Sequence, residues 1–429
     1  MNIFYGIYVF LSTILIVSLL PFILIGVFLT GRYKKLVFQR LGFYPKLSPP
    51  NRFRIWLHAV SVGEINVARS IIDMLLETSP NIDIVLSTTT PRGYDLASKI
   101  EHPRLQCVYS PIDFIFSVRL ALHAIQPRIL VLLETEIWPN WIYIANSFNI
   151  PIKIVNGRIS QKSFNGFQKF SSLVKFILQK IDAFSMISHD NANRLCQLGA
   201  LPHKVYVSGN AKFDLLKQTY NHALPAKLKS MLNIHSDSFV FVAGSTRTGE
   251  EDMVIAAYKA LCLKYPDTIC IIAPRHIERN ASIENLLKKS HLIFNRYSWC
   301  KLNKSRNASV ILVDTIGDLA GLYSIANVVF CGGSLVPKGG QNVLEPAIWG
   351  KLVLYGPHMD DFLWAKDALD ASTGGMNVSN VDELTKQILF FADHRDQAAT
   401  MGKKARAAVL KLSGAARKHV DIILQEMNV

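Results

Sequence analysis

The residues best suited to chemistry in this chain recur just beyond short apolar runs. His58-Ala-Val-Ser-Val-Gly-Glu64 leaves such a run and opens a helix-like stretch. Gly63 permits a tight backbone there, and Glu64 falls where open α/β sheets bind ligands, beyond a strand's carboxyl end. A base at that point can take a proton from a substrate hydroxyl; read as structure alone, it is a helix-start acid favoured by the macrodipole. Glu134-Thr-Glu-Ile-Trp-Pro-Asn140 ends another run. Carboxylates spaced i, i+2 on extended chain point the same way, so Glu134 and Glu136 could face one site together, although a turn is expected here before Pro139; read as structure alone, one only starts a helix beside a core Trp. Ser208-Gly-Asn-Ala-Lys-Phe-Asp214 puts Lys212 in a comparable loop, either as a mobile charge for a phosphate or carboxylate or as an ordinary surface lysine.

The second half carries a parallel set. Ala243-Gly-Ser-Thr-Arg-Thr-Gly-Glu-Glu-Asp252 reads as strand, small-residue loop and helix, whose backbone N–H groups suit an anion. It fits neither GxxxxGK[ST] nor GxGxxG, so neither an ATPase nor a dehydrogenase is indicated. Arg275 follows the next strand in Ala273-Pro-Arg-His276. Gly332 to Pro346 is the richest element, a glycine loop and helix start with Asn342 and Glu345 within one turn. Its amides would take a phosphate and Glu345 a ribose hydroxyl, against the bland reading of a glycine-rich turn. HExxH, GxSxG, EF-hand loops and Asp-x-Asp pairs are missing from the sequence, so metal chemistry gets no support.

The elements that must position these groups follow from the patterning. Runs at Arg54–Ala59, Asp83–Thr89, Leu105–Ser110, Arg128–Glu134, Pro151–Asn156, Ala183–Ser188 and Lys204–Ser208 alternate with amphipathic stretches such as Ile65–Leu76 and Phe167–Lys180. After a thinner stretch near Asn221–Asp237 the alternation restarts at Phe239–Ala243, Thr268–Ala273, Leu292–Tyr297, Val310–Asp314, Asn327–Cys331 and Leu352–Tyr355. Short, doubly buried strands between helices predict two parallel α/β sheets in tandem, with a cleft where their ligand edges face. His394–Met427 reads as helix and would strap the second domain. The expected divisions are an anchor over 1–31, a first domain over 32–220 and a second over 221–429. With 429 residues, half of them hydrophobic and 18% charged, the chain is a folded protein and not a disordered one. Its six scattered cysteines fit a reducing compartment, with most thiols serving as small hydrophobes.

From Ile3 to Thr30 no residue is charged, enough for a membrane-crossing helix, though Pro21 leaves a kinked or interfacial helix open. Arg32, Lys34, Lys35, Arg40, Lys46, Arg52 and Arg54 all precede the first acid, Glu64, and the linker 46–51 is Lys-Leu-Ser-Pro-Pro-Asn. That pattern holds the body of the chain on the cytoplasmic side, and it offers a surface to anionic lipid head groups. The +15 net charge is not interleaved with aromatics in a nucleic-acid-binding motif, so no nucleic-acid partner is expected.

Taken together, HAVSVGE (58–64), ETEIWPN (134–140), NGRIS (156–160), GNAKFD (209–214), APRHIER (273–279) and GGSLVPKGGQNVLEP (332–346) resemble the bacterial 3-deoxy-D-manno-octulosonic acid (Kdo) transferase family of lipopolysaccharide biosynthesis. The resemblance implies a GT-B fold: two Rossmann-like domains facing an interdomain cleft, with an N-terminal membrane-anchor helix. It implies an inverting, metal-independent transfer of Kdo from CMP-Kdo to a lipid A precursor, without a cofactor. The enzyme would sit among inner-membrane lipids with its catalytic domains on the cytoplasmic face. Carried over onto matching positions, Glu64 is the general base, and Glu134 and Lys212 are transition-state stabilisers. The nucleotide would contact Pro274, Arg275, Ile316, Gly317, Asp318, Asn342, Val343, Leu344 and Glu345. The family often has Glu where this chain has Asp318, which puts a side-chain role there in doubt. Two other readings stand beside this one: a soluble GT-B-like nucleotide-sugar epimerase, and a membrane-anchored lipid-binding protein without catalysis.

Overall fold

Strands built from unbroken Val, Ile and Leu must be covered on both faces, and a parallel sheet between helix layers does this. In the computed structural model, which describes residues 2–30, 33–45, 47, 52–218, 220–302 and 305–425, the chain folds as two such units. Arg32 and most of the linker at 46–51 lie outside the described residues. Residues 1–215 with 413–429 form the first unit, and 216–412 form the second.

The first sheet holds β1 (Phe53–His58), β2 (Ile82–Thr88), β3 (Leu105–Tyr109), β4 (Ile129–Leu133), β5 (Ile152–Gly157), β6 (Ala183–Met186) and β7 (Val205–Val207). Its order is β3-β2-β1-β4-β5-β6-β7, and every pairing is parallel. Neighbouring residues of one strand serve opposite cores. Trp56, Leu130 and Leu132 pack on one face, while Ile55, Leu57, Ile129, Val131 and Leu133 pack on the other. The second sheet holds β8 (Val240–Thr246), β9 (Ile269–Pro274), β10 (Phe294–Arg296), β11 (Val310–Leu312), β12 (Val328–Cys331), β13 (Leu352–Tyr355) and β14 (Gly375–Asn377), in the order β10-β11-β9-β8-β12-β13-β14. Only β14 has no counterpart among the expected strands, because Gly-Met-Asn carries no apolar run. All six cysteines are free.

Three helices bear on the site and on the N-terminal segment: α1 (Ile3–Thr30), which continues through Pro21, α2 (Lys34–Arg40), and α3 (Val62–Thr78). The predicted C-terminal strap needs correction. The helix Arg395–Leu412 does pack on the second unit, but the chain breaks at Gly414, which takes φ 97°, and the helix Ala415–Leu424 returns to the first. There it lies on α3, β5 and β6. Its two ends are clamped by opposite charges, as a helix dipole favours. The Asp214 carboxylate accepts the N–H groups of Gly414 (2.5 Å) and Ala416 (2.8 Å), and the buried Lys153 Nζ donates to the carbonyl of Ile422 (2.7 Å). Between them, His419 Nδ1 lies 2.7 Å from Ser185 Oγ.

Asp214→Ala removes the acceptor for two helix-start amides and should lower the unfolding free energy by about 1–2 kcal/mol. Chemical unfolding in detergent should show an earlier midpoint with an unchanged slope.

Candidate functional site

Ligands of open parallel sheets sit beyond the carboxyl ends of two neighbouring strands whose connections leave in opposite directions. In the first unit that point lies between β1 and β4, since the chain builds β2 and β3 on one side before returning to β4 on the other. The loops that follow β1 and β4 are the two that carry Glu64 and the pair Glu134 and Glu136. Sequence and topology therefore select the same place.

Glu64 sits in the first turn of α3, 8% exposed, in a capping box with Ser61. Ser61 Oγ donates to its Oε1 at 2.9 Å, and the Val60 N–H donates to its Oε2 at 2.8 Å. The helix-start reading of Glu64 is thus correct as structure, and it also holds the carboxylate in one orientation. Each oxygen keeps a further lone pair for a substrate hydroxyl. Thr88 fixes the loop from β2 through a 3.1 Å bond to the Val60 carbonyl. Gly63, expected to serve a tight turn, is an ordinary helical residue whose Cβ would meet only Ser61 Oγ, at 3.8 Å.

The paired acids need a second correction. Glu134 takes φ 54° and the Ile137 N–H bonds back to the Thr135 carbonyl, so the chain turns at once and the extended i, i+2 argument fails. Electrostatics nevertheless joins these groups. Burial chiefly, and then the charge of Glu64, raise the Glu134 carboxyl above its usual range, while Arg158 and Lys212 pull it down. Glu136 is pushed up to about 7 by burial and by Glu64 and Glu134, against a 2.7 Å bond from Trp138 Nε1. A left-handed non-glycine residue and displaced carboxyl pKa values at one place make this the candidate site of the first unit.

Lys212 and Arg158 are both exposed. The Lys212 loop is held by Asn156, itself at φ 53°, whose Oδ1 accepts the Ala211 N–H at 2.9 Å. Arg158 is not among the sequence-predicted site residues, although it follows β5 inside the quoted NGRIS segment. His58 is a fixture rather than an acid or base. Its ring lies tilted against Trp141, centroids 4.8 Å apart, and Nδ1 lies 2.9 Å from the Ser87 hydroxyl and 3.1 Å from the Ser87 carbonyl; burial pushes its pKa down to about 3, so the ring is neutral.

The second unit repeats the arrangement between β8 and β12. Here the glycine loop behaves differently from expectation. The fully buried Glu250 carboxylate accepts the N–H groups of Gly333 (2.7 Å), Ser334 (3.0 Å) and Leu335 (3.0 Å), together with that of Arg247 (2.8 Å). Amides expected to hold a phosphate are already occupied by an internal acid. Close approach sets the other limit: a Cβ on Gly244 would stand 2.0 Å from Tyr323 Oη.

Pro274 ends β9, and the exposed Arg275 follows, its N–H bonded to the Thr246 carbonyl at 3.1 Å. Beyond the adjacent β11 come Ile316, 84% exposed, Gly317 at φ 91°, and Asp318. The Asp318 side chain is engaged by Thr315 Oγ1 (2.5 Å) and Lys301 Nζ (3.2 Å). Past β12, Asn342 Oδ1 accepts the Leu344 N–H at 3.2 Å while its Nδ2 donates to Glu345 at 3.3 Å. Val343 and Leu344 are buried beneath them. The predicted nucleotide residues thus gather beyond the carboxyl ends of β9, β11 and β12.

A family model described as 3-Deoxy-D-manno-octulosonic-acid transferase (kdotransferase) matches residues 35–215. A bifunctional glycosyltransferase/methyltransferase of Fusobacterium nucleatum subsp. nucleatum is 38% identical over 338 residues, 78% of this chain; the match spans about half of that longer protein, 52%. A 3-deoxy-D-manno-octulosonic acid transferase of Haemophilus influenzae is 30% identical over 394 residues, covering 91% of both chains. The solved UDP-GlcNAc 2-epimerase from Neisseria meningitidis superposes with TM-score 0.59 at 14% identity, over 87% of this chain and all of that one. At that identity the likeness is one of fold.

The geometry sets two measurable stabilities. Glu136 keeps its proton in the native state up to about pH 7 but releases it near 4.5 when unfolded, so the native state binds more protons in that window and stability falls as pH rises through it. Glu136→Gln should flatten the fall and raise stability at pH 8 by about 1–2 kcal/mol, read from melting curves across pH 4.5–8. Glu250→Gln turns an acceptor into a donor facing donors; melting of the second unit should drop by the equivalent of about 2–3 kcal/mol.

Proposed function

Because this chain belongs to the 3-deoxy-D-manno-octulosonic acid transferase family, we propose that it transfers Kdo from CMP-Kdo to a lipid A precursor, with inversion at the anomeric carbon. One observation carries the reading: an oriented carboxylate, Glu64, at the switch point of the first sheet, whose charge reaches Glu134 and Glu136, with Arg158 and Lys212 acting on Glu134 in turn. Glu64 takes the proton of the acceptor hydroxyl as its oxygen bonds to the anomeric carbon. The bond from that carbon to the CMP phosphate oxygen breaks, and its electron pair leaves with CMP. Sugar transfer of this kind passes through an oxocarbenium-like state.

Each neighbouring group has a task in this scheme. Lys212 and Arg158 offset the negative charge of three carboxyl groups, and a Glu136 that retains its proton to about pH 7 reduces that charge further. Charge developing on the departing phosphate is met by preorganised donors. Since Glu250 already holds the amides of Gly333, Ser334 and Leu335, the exposed Arg275 is the cation assigned to that phosphate. Asn342 and Glu345, bonded to each other, are assigned to the ribose.

The family relation favours a transferase over an epimerase, since the epimerase likeness is confined to fold while the Haemophilus transferase is 30% identical across nine-tenths of both chains. The one helix among the described residues long and apolar enough to cross a membrane favours a membrane site, assigned to the cytoplasmic face of a bacterial inner membrane.

Detergent-solubilised protein incubated with CMP-Kdo and tetra-acylated lipid A precursor should give lipid products heavier by whole Kdo units in mass spectra. Glu64→Gln should slow product formation at least about a hundredfold while CMP binding is retained. Undiminished lipid binding with no product from either protein would favour the non-catalytic lipid-binding reading.

A further inference from the structure

Length and apolarity make α1 a candidate membrane span, but its contacts constrain how it can meet a bilayer. Its first turns are built into the first unit. Tyr5 is 1% exposed, donates to Asn140 Oδ1 at 3.0 Å and stacks on Tyr143 with ring centroids 4.2 Å apart. Tyr8 donates to the Asp113 carboxylate at 2.6 Å, and the same carboxylate accepts the N–H groups of Asn140 and Trp141. Further along, Ile16, Leu19, Leu20 and Ile23 share a groove of about 250 Å³ with Leu36, Val37 and Leu41 of the α2 segment.

The chain just beyond α1 is tied to the same unit, where Gln39 Oε1 accepts the Tyr109 N–H at 2.8 Å and the Arg40 carbonyl accepts the Ile112 N–H at 2.7 Å. Both flanks of this 28-residue helix, about 42 Å long, are therefore held by one folded unit. A bilayer's hydrocarbon core is about 30 Å thick. A span would put those two flanks on opposite sides of that core, and so would tear either Tyr5 and Tyr8 or Gln39 from its partners.

Resting on the proposed membrane site, we infer that α1 does not cross the bilayer but lies along one leaflet, with its outward face among acyl chains and the first unit suspended beneath it. That face is apolar along its length, through Ile3, Phe10, Ile14, Val17 and Phe28, the last 86% exposed. The folded unit supplies an exposed cation toward each end of the strip. Lys169 borders the groove at Phe4, Ile7 and Leu11, and Lys34 opens α2 beside the other groove. Such placement suits anionic head groups around a helix lying in the interface, whereas a span would carry its domain's cations at one end only. Asn140 belongs to the helix that follows Glu134 and Glu136, so seating α1 in the leaflet braces the segment behind the candidate site.

Inside-out inner-membrane vesicles from cells expressing the full chain, with a protease-cleavable tag before Met1 and another after Val429, test the placement. Flotation with the vesicles, and cleavage of both tags to equal extent without detergent, is the expected result. A floated protein whose N-terminal tag is cut only after detergent spans the membrane and overturns the inference alone. A chain that does not float overturns the membrane reading and the inference with it.

Discussion

Where a parallel sheet switches direction, the loops leave the ladder with backbone amides that have lost their strand partners, and something must accept them. Both units solve this with an acid from the helix that follows the first strand of the sheet. Glu64 takes the Val60 amide, and Glu250 takes four amides, of Arg247, Gly333, Ser334 and Leu335. The two acids occupy the same topological station, one in each sheet. Their burdens differ. Glu250 is wholly consumed in holding two loops together, whereas Glu64 accepts only one amide and one hydroxyl. The base proposed at Glu64 is a structural role left partly unfilled.

That contrast explains what the sequence can and cannot disclose. The strands are legible because doubly buried strands carry unbroken apolar runs, and the positions of Glu64, Glu134, Lys212 and Arg275 follow from lying just beyond those runs. Conformations of the loops are not legible. Nothing in Glu134-Thr-Glu136 announces a left-handed residue at its start, and the i, i+2 spacing points the other way. Gly63 looks like turn chemistry, yet a Ser61–Glu64 capping box makes the helix begin before it. The glycine loop reads as a phosphate cradle because its amides are plentiful; only a contact across 83 residues of sequence reveals that an internal carboxylate claims them.

The same limit applies to the chain's tail. Periodicity identifies His394 onward as helical, but helices carry no address, and the partner of Ala415–Leu424 is set by Asp214, Lys153 and Ser185, all distant in sequence. Burial decides the destination, since Ala415, Ala416, Val420 and Ile423 complete the core built on Ile65, Ala68 and Ile72 of α3.

The chain therefore passes from the first unit to the second and back again, near residues 215 and 413. Two covalent crossings rather than one make the units inseparable as genetic cassettes. A fragment ending at Leu215 keeps all seven strands of its sheet but loses a wall of its core, so neither recombination nor truncation at a single point yields a complete first domain. An architecture that looks like two beads on a string in sequence is inherited as one nested unit, the second domain being in effect an insertion into the first.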